Sequence, residues 1–438
     1  MLSTISFILL IIDSFLVIKI LKTNQFHKLL KMFWAISFFG WNATPYLLSL
    51  LPQYRGDISI DIDFYFACWS INFFFLFIVY LSAYLFGKIK WKKKSFFDSP
   101  SYQYNPRFIN MMAIVSIVVL VLIIIVGLGD TSTYAERNDV SNHDDNLLLG
   151  TLSSLKHFAA NFLLAIIFFY RKIISRPLQY VILAVLSTHY FLTSLGGSRI
   201  HLFAIVIMLL YIVISEKRKI LIVPVLALGI IALSVLPAIK ELRKTGDIIT
   251  TKNVYRTSSK ESGDIMWEIM NKTNSVHSSS VLLFYSGIGS GGSLVYTSTL
   301  YSLVPRFIYP NKPHPGSMNG TMDGLPGRLA ANIASSSYNS VANVGISTSI
   351  ESLWAGGYIM YLIQAIFSGF LIVLMNKAFH GKKLLLLYFV LSLLSFPVCI
   401  IDVSLVNFSI SIQRFLVVYA LFYLLFSTQF KKYSKWNS

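Results

Sequence analysis

The chain has 438 residues, of which 55% are hydrophobic and only 13% charged. Its formal net charge is +18 and its mean hydropathy +0.65. A soluble chain carries about a quarter charged residues, and an outer-membrane barrel shows alternation rather than solid apolar blocks, so the expectation is an all-α, polytopic integral membrane protein.

Apolar runs long enough to cross a bilayer predict about eleven transmembrane helices: 2–21, 30–51, 64–87, 109–129, 150–170, 177–195, 199–215, 220–238, 352–376, 383–402 and 410–429. The first, MLSTISFILLIIDSFLVIKI, lacks a basic leader and a small-residue cleavage site, and is expected to be a retained span. Basic connections at 22–31, 88–94 (KIKWKKK), 171–176, 216–219 and 377–383, with the tail at 431–435, alternate with acidic ones at 52–63 and 130–145. Cytoplasmic loops of membrane proteins are basic. The pattern therefore predicts an outside N-terminus and a cytoplasmic C-terminus, and it accounts for the positive charge without a nucleic acid. Cys68 and Cys399 both fall inside apolar segments and form neither a disulfide framework nor a metal spacing.

One connection, 239–351, is too long for that rule, and alternation places it outside. The expected organisation is helices 1–8 over 1–238, a large external loop over 239–351, and helices 9–11 with a cytoplasmic tail over 352–438. Long loops in compact proteins are usually functional. Ten Lys/Arg against seven Asp/Glu on this side work against topology and suggest another use. Within the loop, GDIMWEIMNKTNSVHSSSVLLFY (263–285) could form an amphipathic helix on the membrane surface, and SGIGSGGS is expected as a flexible break.

Four stretches could carry chemistry. In SLGGSRIHLF (194–203), Gly196 and Gly197 allow a tight turn, Ser198 suits an N-cap, and Arg199 falls in the first turn of the next helix. Free N–H groups and an arginine fork there fit a pyrophosphate. A plain turn with an arginine reaching headgroups fits equally, and His201 reads as a packing residue. Next come the loop cations Lys240, Arg243, Lys244, Arg256, Arg306, Lys312 and Arg328, which suit either anionic lipid or a multiply charged lipid-linked substrate. In VPRFIYPNKPHPG (304–316) prolines stiffen the backbone, so that Arg306, Tyr309, Lys312 and His314 form either a preset rim for a sugar phosphate or an interfacial belt. Last, Glu351 in STSIESLWAGGY (347–358) is either a general base at the outer mouth of span nine or a helix-start glutamate facing the dipole. Asp13, Asp402 and Arg414 are the charges inside spans. Such charges are functional candidates, although an Asp402–Arg414 ion pair is the simpler account for those two. The absence of GxxxxGK[ST], HExxH and CxxC motifs argues against an ATPase, a zinc protease and a redox enzyme.

Three of these stretches resemble the bacterial O-antigen, or oligosaccharide repeat-unit, polymerases of the Wzy type: GGSR (196–199), VPRFIYPNKP (304–313) and SIESLWAGGYIMYL (349–362). Leu353 and Ala355 stand where that family carries aromatics. The resemblance implies a fold like the GT-C-type membrane glycosyltransferases, in the bacterial inner membrane. It implies metal-independent transfer of a growing chain from undecaprenyl diphosphate to a new repeat unit at the periplasmic face, with no cofactor. Membrane lipids and a chain-length regulator protein are the implied partners. Glu351 first and His314 second would serve as base. Arg199, Arg243, Arg256, Arg306, Lys312 and Arg328 would hold diphosphate and glycan, with Tyr309 stacking on sugar. An O-antigen ligase shares the architecture, and a lipid-linked oligosaccharide flippase is the transporter alternative.

Overall fold

The computed structural model describes residues 2–51, 60–89, 106–128, 159–196, 201–225, 227–229, 274–304, 308–309, 347–381, 412 and 416. Every regular element among them is helical: α1 (Leu2–Lys22), α2 (Lys28–Ala35), a π-helical segment (Ile36–Ala43), α3 (Thr44–Ser49), α4 (Ile62–Lys88), α5 (Pro106–Leu128), α6 (Ala159–Tyr170), α7 (Arg176–Gly196), α8 (His201–Ser215), α9 (Ser275–Ser286), α10 (Gly292–Leu303) and α11 (Thr348–Gly381). Three are long and apolar enough to cross a membrane: 2–22, 62–88 and 348–380. The spans expected at 383–402 and 410–429, with Asp402 and Arg414, lie outside the described residues apart from Ile412 and Leu416. Of the span expected at 220–238, only the part up to 229 is described.

The α2–α3 run is one apolar stretch with a widened middle. Pro45 offers no N–H to the carbonyl four residues earlier. Just before and beside it, the Asn42 amide donates to Ser37 O (2.9 Å) and Thr44 Oγ1 to Phe39 O (2.7 Å), both five residues back. The wider π turn absorbs the mismatch.

Lipid tails are as apolar as leucine, so helices associate here through close packing and interhelical hydrogen bonds. The Tyr46 ring meets Trp69 and Phe73 edge-on at 5.3 and 5.2 Å. Pairs of this kind contribute about 0.5–1.5 kcal/mol each beyond burial. α11 approaches α4 closely at Gly369, where a Cβ would stand 2.6 Å from Ser82 Cβ and 2.8 Å from Val79 O. On α1, the buried stripe Ser6, Leu10, Asp13, Val17 and Ile20 turns inward. Ile8, Ile11, Ile12, Phe15 and Ile18 stay exposed, as a lipid-facing surface requires.

Among the described residues, parts of the basic connections meet at one end of the bundle. The His27 ring meets Phe379 and His380 edge-on and Phe169 at a tilt, and its backbone N–H donates to Asn376 Oδ1 (2.8 Å). Lys19 and Lys88 both lie over the Tyr84 ring. Arg171 joins two more basic loops by donating to Ser215 Oγ (2.6 Å) and pairing with Glu216 (3.6 Å). Tyr46 and Ser6 meet at the opposite end, where the Tyr46 hydroxyl also donates to Ser3 O (2.9 Å).

Candidate functional site: a broken helix with a sunken arm

α11 is not a single rod. Gly356 (φ −144°, ψ 22°) and Gly357 (φ 65°, ψ −160°) leave helical geometry and divide it into an arm, 348–355, and a long helix, 358–381. The positive φ at Gly357 suits a residue without Cβ. The apolar pattern alone suggests an unbroken span beginning near 352.

The break frees the Leu353 and Trp354 carbonyls, whose partners four residues on would be Gly357 and Tyr358. The glycine turn between α9 and α10 replaces them: Gly289 N donates to Leu353 O (3.2 Å) and Gly291 N to Trp354 O (3.0 Å). The approach is tight. A Cβ on Gly291 would fall 2.4 Å from the Trp354 ring, and one on Gly292 would fall 2.6 Å from Ala355 O. The stretch expected as a flexible break is thus a docked turn that supplies two hydrogen-bond donors.

The arm lies deep. Ser349 Oγ donates to Asn72 Oδ1 (2.7 Å), while the Tyr361 hydroxyl, twelve residues on, donates to Ile71 O (2.7 Å). Both ends of that stretch therefore meet α4 at one level, so the arm runs across α4 rather than along it. Asn72 is ten residues into α4, about 15 Å from its start. Irregular backbone at such depth is tolerated where protein buries it.

A polar cluster holds the arm there. Asn72 donates to Asn42 Oδ1 (2.8 Å) and accepts from Ser349 and from Ser347 Oγ (3.0 Å). Ser347 and Ser349 hydroxyls also bond each other. Ser347 N donates to Ser279 Oγ (2.8 Å), and Ser279 Oγ donates to Ser275 O (2.7 Å), which ties α9 to the arm. Asn274 caps α9 by accepting from His277 N (3.1 Å), and its amide donates to the Tyr65 hydroxyl (3.0 Å). All these polar side chains except Ser275 and His277, which are partly exposed, are buried. Of the helix expected over 263–285, residues 263–273 lie outside the described residues. α9 buries Val276, Ser279, Ser280, Val281, Leu282 and Leu283 instead of floating on a surface. Burial lowers the His277 pKa below its ordinary 6.5.

Glu351 sits in the first turn of the arm, buried, with its backbone N–H donating to Ser347 O (2.9 Å). A carboxylate at a helix N-terminus is stabilised by the helix dipole, and the Ser347 and Ser349 hydroxyls on Asn72 lie in the same turn. Tyr309 is exposed just beyond α10. Arg199, Arg243, Arg256, Arg306, Lys312, His314 and Arg328 lie outside the described residues. Sequence reasoning singled out Glu351 but missed Asn42, Asn72, Asn274 and Ser279. The available signal was an amide inside each of two apolar runs, since a lone amide in lipid needs a partner.

Among the described residues the chain is thus all-helical, with three helices long and apolar enough to cross a membrane and a carboxyl on a broken one. Comparison with known protein families, with curated proteins and with solved structures finds no match.

Proposed function

We propose that the chain is a membrane glycosyltransferase of the O-antigen polymerase type, which joins undecaprenyl-diphosphate-linked oligosaccharide repeat units at the periplasmic face of a bacterial inner membrane. The observation that carries this reading is Glu351, buried on an arm that leads directly from the long loop into the bundle. Broken helices in membrane proteins build substrate sites, and on this reading the arm carries a potential base for a lipid-borne substrate.

In the proposed reaction the hydroxyl at the non-reducing end of the new unit attacks the anomeric carbon of the growing chain. The C–O bond to the lipid diphosphate breaks, and that bonding pair leaves with the diphosphate. The hydroxyl proton passes to the Glu351 carboxylate, with His314 as the second candidate. Arg199, Arg243, Arg256, Arg306, Lys312 and Arg328 offset the negative charge on the departing diphosphate, and Tyr309 stacks on a sugar ring. No metal or cofactor enters this scheme. A chain-length regulator is the expected protein partner.

The glycan ladder of producing cells tests it. Glu351→Gln and Arg199→Ala should each collapse the ladder to a single repeat unit on the lipid core, with the protein still inserted. Long-chain polysaccharide at wild-type levels in Glu351→Gln would reject the base. Polymer stranded on its carrier in cells lacking the protein would assign ligation instead.

A further inference from the structure

Asp13 is at the middle of α1 and belongs to the stripe that faces the bundle. Its side chain is wholly buried, and neither carboxyl oxygen has a hydrogen-bond partner. The cations on α1 and the helices packed against it stand at the basic end. Lys19 and Lys88 lie over Tyr84, and Lys31 Nζ donates to the Leu21 and Thr23 carbonyls. Lys19 is also six residues on from Asp13, about 9 Å along the axis. Lys22, Lys28, Lys377 and His380 stand at that same basic end, and Asp63 and Glu351 bring no positive charge. The other titratable side chains on the surrounding helices are the hydroxyls of Tyr46, Tyr65, Tyr80, Tyr84, Tyr358 and Tyr361 and the Cys68 thiol. All of these types are neutral at pH 7, so among the described residues nothing there compensates a carboxylate.

An ionised carboxylate in such a place loses its hydration and gains no partner in return. A neutral acid costs far less. An acid that only filled space would be replaced at no loss by the Leu, Ile or Val found along the rest of α1.

We propose that Asp13 is a proton-binding site inside the membrane-spanning bundle. It carries its proton at neutral pH and releases it only when water or a cation reaches the buried face of α1. The glycosyl-transfer reading makes no use of this group, so the two stand or fall separately.

Infrared spectroscopy of the full-length protein in detergent micelles tests the proposal. At pH 7 the wild type should show the C=O band of a protonated carboxylic acid, shifted in D2O and absent from Asp13→Asn. Glu351 contributes equally to both spectra. No such band, or one of equal intensity in both proteins, overturns the proposal. Asp13→Leu is the second variant and should accumulate in the membrane to wild-type level, because removing a neutral, unpartnered acid strands no partner. Failure of both variants to accumulate also overturns it.

Discussion

The glycine turn between α9 and α10 supports opposite predictions depending on whether it is slack or docked. Gly287 has φ +81° and open space for 4 Å around the position a Cβ would take, whereas Gly291 has an ordinary φ of −92°. In a slack linker, Gly287→Ala would therefore be the costlier change, at about 1–3 kcal/mol for a backbone conformation (ψ 168°) that only glycine adopts readily, and Gly291→Ala would cost nothing. In the docked turn the order reverses. The new methyl of Gly291→Ala would meet three Trp354 ring atoms at 2.4–2.5 Å, where carbon pairs prefer roughly 3.5–4.0 Å. Trp354 is buried, and the Gly291 N–H is tied to its carbonyl, so neither side retreats freely. Overpacking costs about 1–3 kcal/mol, and loss of the Gly289 and Gly291 bonds adds about 1 kcal/mol each. The sum, roughly 3–5 kcal/mol, exceeds the Gly287 cost. Thermal unfolding of the two variants in micelles, followed by Trp fluorescence and hydrogen exchange over 347–357, measures the order. Equal stabilities, or Gly287→Ala as the weaker protein, would refute a turn that serves as donor for the broken helix.

Asn72→Leu removes the acceptor shared by Ser347 and Ser349 and the donor to Asn42. Interhelical bonds in membranes are worth as little as about 0.6 kcal/mol and stranded buried groups about 1–3, so a loss of about 2–4 kcal/mol is expected. Ser349→Ala on top of it should add little, and full additivity in the double-mutant cycle would show that the two act separately. His277 is held neutral by burial, with a pKa below that of the unfolded chain. The folded state therefore binds fewer protons on acidification, and its stability is complete above pH 6.5 and falls as the pH drops below it. Exchange protection of α9 should weaken over that range in the wild type but not in His277→Phe.

Membrane-scale features were legible in the sequence because lipid imposes one simple demand. Runs at 2–21, 64–87 and 177–195 end within two residues of α1, α4 and α7. The charge pattern likewise anticipated that the loops around His27, Arg171 and His380 would meet at one end. Contacts distant in sequence were not legible. Gly356 and Gly357 read as small residues inside a span, because their break needs Gly289 and Gly291 to satisfy the carbonyls it frees. Nothing near Pro45 announced a π turn rather than a kink. Asn42 and Asn72 satisfy each other across thirty residues, so each alone resembles an isolated amide.

These contacts also fix what can move. The arm is held at one end by hydroxyls and amides on Asn72 and Ser279, and at the other by two backbone bonds to a glycine turn. Both fastenings on the loop side come from α9 and the turn after it. Displacing α9 would therefore free Ser347 N, Leu353 O and Trp354 O together, each a group that lipid cannot satisfy. The arm and the loop should act as one unit, so Gly291→Ala and Asn72→Leu should raise hydrogen exchange at both ends of the arm, not only at the altered one. A local effect confined to residues 353–357 in Gly291→Ala, with 347–351 protected as in the wild type, would show that the arm's two fastenings are independent.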